Sequence, residues 1–224
     1  MKTIIITGAG SGLGKELSLL LSQQGYHVIL IGRSLDKLSA VKVEIEEAGG
    51  AADYVVLNVQ KESDILKGVE QISKKHKVFG LVNNAGVGHF GPFVNIKEEE
   101  IIEMLHTNVL GTILMTKAVL PLLQQEEGLL MNIISTAGLR GKVNEAVYAA
   151  SKFAVRGFTE SLQKEYENSS INIKAVYMGG MDTPFWEGSN HIDDTSRFRS
   201  AKEVAKIIIE QFDQNEIIIE SKKS

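Results

Sequence analysis

The feature that most constrains this chain is an alternation between two hydrophobic periods. Short β-branched runs occur at Thr3 to Thr7, His27 to Ile31, Ala52 to Leu57, Gly80 to Asn83, Leu129 to Ser135, Ile171 to Met178 and Glu216 to Ile219. Between them lie amphipathic stretches near Leu13 to Gln24, Leu35 to Glu47, Lys61 to Lys75, Glu98 to Leu123, Glu145 to Asn168 and Ala201 to Phe212. The first kind suits buried strands and the second suits helices with one apolar face. Regular βαβα alternation predicts a parallel sheet covered on both faces, reached by right-handed crossovers. In such a doubly wound α/β fold, ligands bind beyond the carboxyl ends of the strands. Residues just after each strand are therefore the ones to inspect.

The 224 residues accommodate one α/β domain, 1–224, and leave no room for a second. A net charge of −4 gives no reason to expect a nucleic-acid partner, so any anion site must be local. With no cysteine there is neither a disulfide framework nor a thiolate metal site, which favours an intracellular compartment. The run Met1 to Ile6 is too short for a signal peptide, and no segment approaches the ~18 apolar residues of a membrane span. A cytoplasmic protein without membrane attachment is expected.

Directly after the first run stands Thr7-Gly8-Ala9-Gly10-Ser11-Gly12-Leu13-Gly14. Small residues here let the backbone approach a pyrophosphate, and the free N–H groups of the following helical turn present a positive dipole end to it. The pattern T-G-x-x-x-G-x-G fits Thr7, Gly8, Gly12 and Gly14. G-x-G-x-x-G starting at Gly8 fails at Leu13, and a P-loop fails at Ala9 and Glu16. The other reading is a glycine-rich turn without a ligand.

The end of the second strand faces the adenosine ribose in dinucleotide folds, where an acid binds a 2′-hydroxyl and an Arg accepts a 2′-phosphate. This chain has Gly32-Arg33-Ser34, without an acid. Arg33 and Ser34 can offer a charged fork and a hydroxyl to phosphate oxygens, so NADP(H) is expected over NAD(H). Alternatively Arg33 simply faces water in a βα turn.

The densest chemistry is Tyr148-Ala149-Ala150-Ser151-Lys152, where i, i+4 spacing on a helix puts Tyr148 and Lys152 on one face. A neighbouring ammonium stabilises a phenolate and lowers the tyrosine pKa, which suits Tyr148 to acid/base work. Ser135 closes the fifth strand and can hold a substrate oxygen or cap the next turn. Asn83-Asn84-Ala85-Gly86 ends the fourth strand, and Asn108 lies inside a long helical stretch where Asn is a poor former without a purpose. Both have bland alternatives, as turn chemistry and as a local backbone bond.

Taken together, the Thr7 to Gly14 loop, Asn83 to Gly86, Asn108, Ser135, the Tyr148/Lys152 pair and Thr183-Pro184 make the chain resemble the short-chain dehydrogenase/reductase family, in its single-domain branch, over nearly its whole length. The resemblance implies a seven-stranded sheet of order 3-2-1-4-5-6-7 and a catalytic set of Asn108, Ser135, Tyr148 and Lys152. Tyr148 is then the acid/base, Ser135 polarises the carbonyl, Lys152 also holds the nicotinamide ribose, and Asn108 supports a proton relay from Lys152. It implies a cofactor site built from Gly8, Gly10, Ser11, Gly12, Leu13, Gly14, Arg33, Ser34, Asn58, Val59, Asn84, Ala85, Gly86, Tyr148, Lys152, Gly179, Met181 and Thr183. The helices carrying Asn108 and Tyr148 usually pack against another subunit in the family, so a homodimer or homotetramer is expected.

The chain departs from the family pattern in two places. Asn58-Val59 replaces an Asp-Val whose acid contacts adenine, and an amide oxygen can still accept that bond. Met178-Gly179 replaces a Pro-Gly, which is expected to loosen the loop through Thr183. A compact lid at about 182–200 carries Phe185, Trp186, His191 and Phe198, which line an apolar pocket or merely pack.

Among the remaining polar residues, His27, His76, His89, His106 and His191 show no metal-like spacing, and no catalytic metal is expected. His89 and Arg140 either reach substrate or face water, and Lys97 to Glu100 and Lys222-Lys223 read as solvated charge. The expected activity is hydride transfer between NADP(H) and a small carbonyl/secondary alcohol pair. The alternatives are a 3-oxoacyl thioester reductase and a non-catalytic redox sensor that binds NADP(H).

Overall fold

The structure, a computed structural model, describes residues 1–123, 127–186, 191–192 and 194–221. Its central sheet contains β1 (Thr3–Thr7), β2 (His27–Gly32), β3 (Ala51–Val56), β4 (Val78–Asn83), β5 (Leu129–Ile133), β6 (Asn172–Met178) and β9 (Glu216–Ile219). All neighbours pair in parallel, in the order β3-β2-β1-β4-β5-β6-β9. The seventh strand of the sheet is ninth in the chain because two short strands, β7 (Met181–Asp182) and β8 (Arg199–Ser200), pair with each other outside it. They close the base of the segment expected to form a lid. Part of that segment, and Lys222-Lys223, lie outside the described residues.

The helices are α1 (Gly12–Gln23), α2 (Leu35–Glu47), α3 (Glu62–Ser73), α4 (Glu98–Met104), α5 (Gly111–Leu123), α6 (Ala146–Glu165) and α7 (Ala201–Glu210). Alternation within each strand feeds two cores. Ile4, Ile6, Leu30 and Val82 pack with Leu17 and Leu21 of α1, Val41 of α2 and Ile208 of α7. Their neighbours Ile5, Ile29, Ile31 and Leu81 point the other way, against Ile65 and Val69 of α3 and Met115 and Val119 of α5. At about 25 cal/mol per Å² of apolar surface removed from water, this burial on both faces is the main force holding the layers together. Local signals set the helix starts: Ser34 accepts the Lys37 N–H at the head of α2, and Ser200 and Glu203 form a reciprocal capping box at the head of α7.

One expected element is different. The continuous helix predicted from Glu98 to Leu123 is broken at a π turn, Leu105–Leu110, centred on Asn108. The reason lies in the Asn108 side chain. Its Oδ1 accepts the Val87 N–H at 2.8 Å while its Nδ2 donates to the Val87 carbonyl at 2.9 Å and to Ser151 Oγ at 3.0 Å. An inserted residue turns that amide inward, a common use of π turns at functional sites.

Candidate active site

A cleft of about 660 Å³ opens at the carboxyl ends of the strands. Gly8, Ser11, Gly12 and Leu13 form its floor after β1. Gly8 and Gly12 both adopt positive φ, +65° and +53°, which a side chain rarely tolerates. Ser11 occupies the N-cap of α1 without using its side chain as a cap, so the first-turn N–H groups are left for a ligand. Thr7 and Asn84 stitch this loop to the end of β4: Thr7 Oγ1 accepts the Asn84 and Ala85 N–H groups, and Asn84 Nδ2 donates to the Thr7 carbonyl at 2.9 Å. This small, donor-rich cradle fits a pyrophosphate.

Asn58, Val59, Asn84, Ala85, Gly86, Gly179, Met181 and Thr183 line the same cleft, together with Arg33 at its adenosine end. Three expected cofactor residues do not. Gly14 packs beneath the loop, where a Cβ would overlap the Gly8 carbonyl and the Asn84 amide. Gly10 packs against Lys37 Cβ, and the Ser34 hydroxyl is occupied in capping α2. Asn58 Oδ1 accepts the Gln60 N–H at 3.0 Å, an Asx turn that fixes the amide at the cleft wall.

The structure adds residues that sequence reasoning missed. Lys37 lines the cleft beside Arg33, one turn into α2, and is a second cation at the ribose end. No linear signal marked it. Glu103 of α4 reaches the same end, 4.0 Å from Arg33 Nη1, and its other oxygen bonds His89 Nε2 at 2.9 Å. His89 thus lines the cleft but is engaged by this carboxylate. Ser221, beyond β9, accepts the Gly180 N–H at 2.8 Å, and Gly179 N–H donates to the Ile219 carbonyl at 2.7 Å. Met178 extends β6 into register with Ile219, so the strand pairing reaches the start of the loop at the position where the family has a proline.

At the other end of the cleft stand Ser135, Tyr148 and Lys152, all buried. Ser135 caps the turn Thr136–Gly138, accepting the Ala137 N–H at 3.1 Å, and its hydroxyl is close enough to Tyr148 to favour the phenolate. Lys152 Nζ lies 5.6 Å from the Tyr148 ring centroid and donates to the Ile133 carbonyl at 3.3 Å. Asn108 stands one layer behind, its Oδ1 beside Gly86. It does not line the cleft and fixes Val87 and Ser151.

Electrostatics here differ from expectation. Tyr148 is held well above its ordinary pKa, chiefly by burial and further by the negative Glu145, against the opposing Ser135 hydrogen bond. Burial brings Lys152 down to about 8. Desolvation therefore outweighs the stabilisation of a phenolate by an adjacent ammonium: it shifts both groups towards their neutral forms, and Lys152 keeps its ammonium only below about pH 8.

Aromatic side chains close this end. Phe185, Trp186 and Phe198 line the cleft, Phe90 and Phe185 approach the Tyr148 ring at 5.3 and 5.9 Å, and Trp186 Nε1 is anchored on the Met181 carbonyl. His191 stacks on Phe90 at 4.9 Å and bonds the buried Glu145 carboxylate at 3.2 Å. Arg140 lies elsewhere, paired with Glu220 through both guanidinium nitrogens at 3.0 and 2.7 Å.

A dinucleotide cradle after β1 and a buried Ser-Tyr-Lys group in one continuous cleft define a nicotinamide-dependent oxidoreductase of the Rossmann type. Comparison with known proteins gives the family. The short chain dehydrogenase family model matches residues 2–193, and this chain belongs to that family. It is 34% identical to a 3-oxoacyl-(acyl-carrier-protein) reductase of Thermotoga maritima, over 93% of this chain and 89% of that one. Its fold matches an alcohol dehydrogenase of Thermococcus sibiricus complexed with 5-hydroxy-NADP, with a TM-score of 0.90, 26% identity and coverage of 99% and 97% of the two chains. A short-chain dehydrogenase of Sphingobium yanoikuyae in complex with NADPH follows at a TM-score of 0.88, 26% identity and coverage of 98% and 87%.

Proposed function

We propose that the whole chain acts as one catalytic domain, lidded at about 182–200, that interconverts a small carbonyl compound and its secondary alcohol with NADP(H). The observation that carries this reading is the buried Tyr148, which lines one cleft with Ser135, Lys152 and the Gly8 to Leu13 cradle. Bound nicotinamide supplies or accepts the hydride. In reduction, the Ser135 hydroxyl donates a hydrogen bond to the carbonyl oxygen, and Tyr148 gives that oxygen its phenolic proton as the alcohol forms. In oxidation the Tyr148 phenolate removes the same proton. Lys152 offsets the negative charge that appears on Tyr148, and Asn108 keeps the Val87 and Ser151 side of the wall in place. Arg33 and Lys37 supply two cations where a 2′-phosphate would lie, against one carboxylate, Glu103, and β2 does not end in an acid, which supports NADP(H) over NAD(H). The relatives named as 3-oxoacyl reductases support a second reading, an acyl thioester substrate. The aromatic ring group at the lid favours a smaller apolar one.

The test is NADPH and NADH consumption across ketones, α-diketones and acetoacetyl thioesters. Tyr148→Phe is expected to lower turnover at least ~10²-fold while leaving NADPH affinity intact. Arg33→Ala is expected to weaken NADPH binding ~10-fold or more with little effect on NADH, since a hydrogen bond to a charged group contributes about 1.5–3 kcal/mol. Full activity in Tyr148→Phe overturns the mechanism. An unchanged NADPH to NADH ratio in Arg33→Ala overturns the cofactor assignment, and tight NADPH binding with no turnover on any substrate turns the reading towards a sensor.

A further inference from the structure

At the opposite end of the sheet from the cleft, three residues with no role in the reaction converge from separate elements. His27 is the first residue of β2, Asp53 lies in the edge strand β3, and His76 sits in the turn between α3 and β4. Asp53 Oδ2 is 3.3 Å from His27 Nε2 and 3.6 Å from His76 Nε2, and one ligand atom from each residue lies within 4.8 Å of the others. The two imidazoles stack, with centroids 4.5 Å apart. The spacing of these residues along the chain gave no sign of the group, because it exists only once β2, β3 and the approach to β4 are side by side.

We infer that His27, Asp53 and His76 form a binding site for a divalent transition-metal ion, with zinc the best-suited ion. Two imidazoles and a carboxylate are a common donor set for zinc, and a water can complete the tetrahedron. Bonds of 2.0–2.1 Å place tetrahedral ligand atoms about 3.4 Å apart, close to the two distances to Asp53 Oδ2. The third edge, between the two imidazoles, is within 4.8 Å. Lys42 Nζ binds the other carboxylate oxygen of Asp53 at 3.3 Å and leaves Oδ2 facing the histidines, the kind of outer contact that orients metal ligands. Asp53 is half exposed, which opens a path for the ion. His27 Nδ1 is buried without a hydrogen-bond partner, so this ligand lacks the second contact that strengthens most metal-bound histidines. An affinity of about micromolar order is expected rather than that of a permanent structural zinc.

The site is about 20 Å of chain away from Arg33, at ~3.3 Å per residue along β2, so its ion would not enter the reaction. It would tie the exposed edge strand β3 to the interior of the sheet. The test is calorimetric titration of tag-free, chelator-treated full-length protein with Zn²⁺, alongside thermal unfolding with and without the ion and absorbance with Co²⁺. One equivalent bound, a raised unfolding midpoint and a tetrahedral Co²⁺ spectrum are expected. In His76→Gln, a change at a surface turn, the affinity falls at least 10-fold and the midpoint shift disappears, and Asp53→Asn behaves alike. Failure to bind Zn²⁺ at millimolar concentration overturns the inference, as does equal binding by the wild type and both variants.

Discussion

Tyr148 and Lys152 are both buried in a wall that excludes water, and burial disfavours the charged form of each. The consequence for activity has a direction. Tyr148, with its pKa raised, keeps its proton through neutral pH and is ready to act as the acid of reduction. Lys152 loses its ammonium as pH rises through about 8, and with it goes the charge that offsets the phenolate left after proton transfer. The reductive kcat is therefore expected to hold between about pH 6 and 7.5 and to fall above about pH 8. A reductive profile that stays flat or rises through pH 9.5 would show that Lys152 does not set the limit. At this scale the sequence was most legible where chemistry demands contiguous residues, in Thr7 to Gly14 and Tyr148 to Lys152. It was silent on Lys37, Glu145 and Ser221, whose places in the site follow from how α2, α6 and β9 are laid against the sheet. The sequence also pointed the wrong way on the Tyr148 pKa, because helical spacing shows a nearby cation but not the loss of solvent.

The elements show the same division. Strand runs such as Thr3 to Thr7 and Glu216 to Ile219, and the helix Leu35 to Glu47, match the observed boundaries because period and caps agree there. The two-residue strands β7 and β8 carry no period long enough to read, and the π turn is invisible to a 3.6-residue pattern. That turn has a measurable role. Asn108→Ala would leave the Val87 N–H and carbonyl and the Ser151 hydroxyl without their amide partner. Each unsatisfied buried polar group costs about 1–3 kcal/mol, and in a chain of this size 1 kcal/mol moves the unfolding midpoint by roughly 2–4 °C. A drop of at least ~4 °C is expected by calorimetry, with kcat reduced as the Ser151 side of α6 shifts. A midpoint within 1 °C of wild type would mean that the π turn is set by packing alone.

For the whole molecule, the layer arrangement follows from alternation and handedness, whereas the sheet order was legible through the family resemblance. What alternation cannot show is which outer face is left dry. Ile102, Leu105 and Leu110 on the stretch from α4 into α5, and Phe153 on α6, are large apolar residues more than a third exposed. These elements pack against one another, and they carry Asn108, Tyr148 and Lys152 towards the cleft from their inner sides. Apolar exposure gathered on adjacent helices marks an association surface more often than a solvated one. The proposal that follows is a homodimer or homotetramer built on these helices, in which a second copy would press on the outer face of the same helices that hold the reacting groups. Light scattering is expected to return two or four chain masses at micromolar concentration. The double substitution Leu105→Glu with Phe153→Glu should return one chain mass, with the unfolding midpoint lowered because association stabilises by mass action. Since both side chains point away from the cleft wall, cofactor binding should survive in the variant, which separates loss of association from loss of fold. A wild type that scatters as a single chain across working concentrations would remove the proposal and leave these helices as an exposed face awaiting another partner.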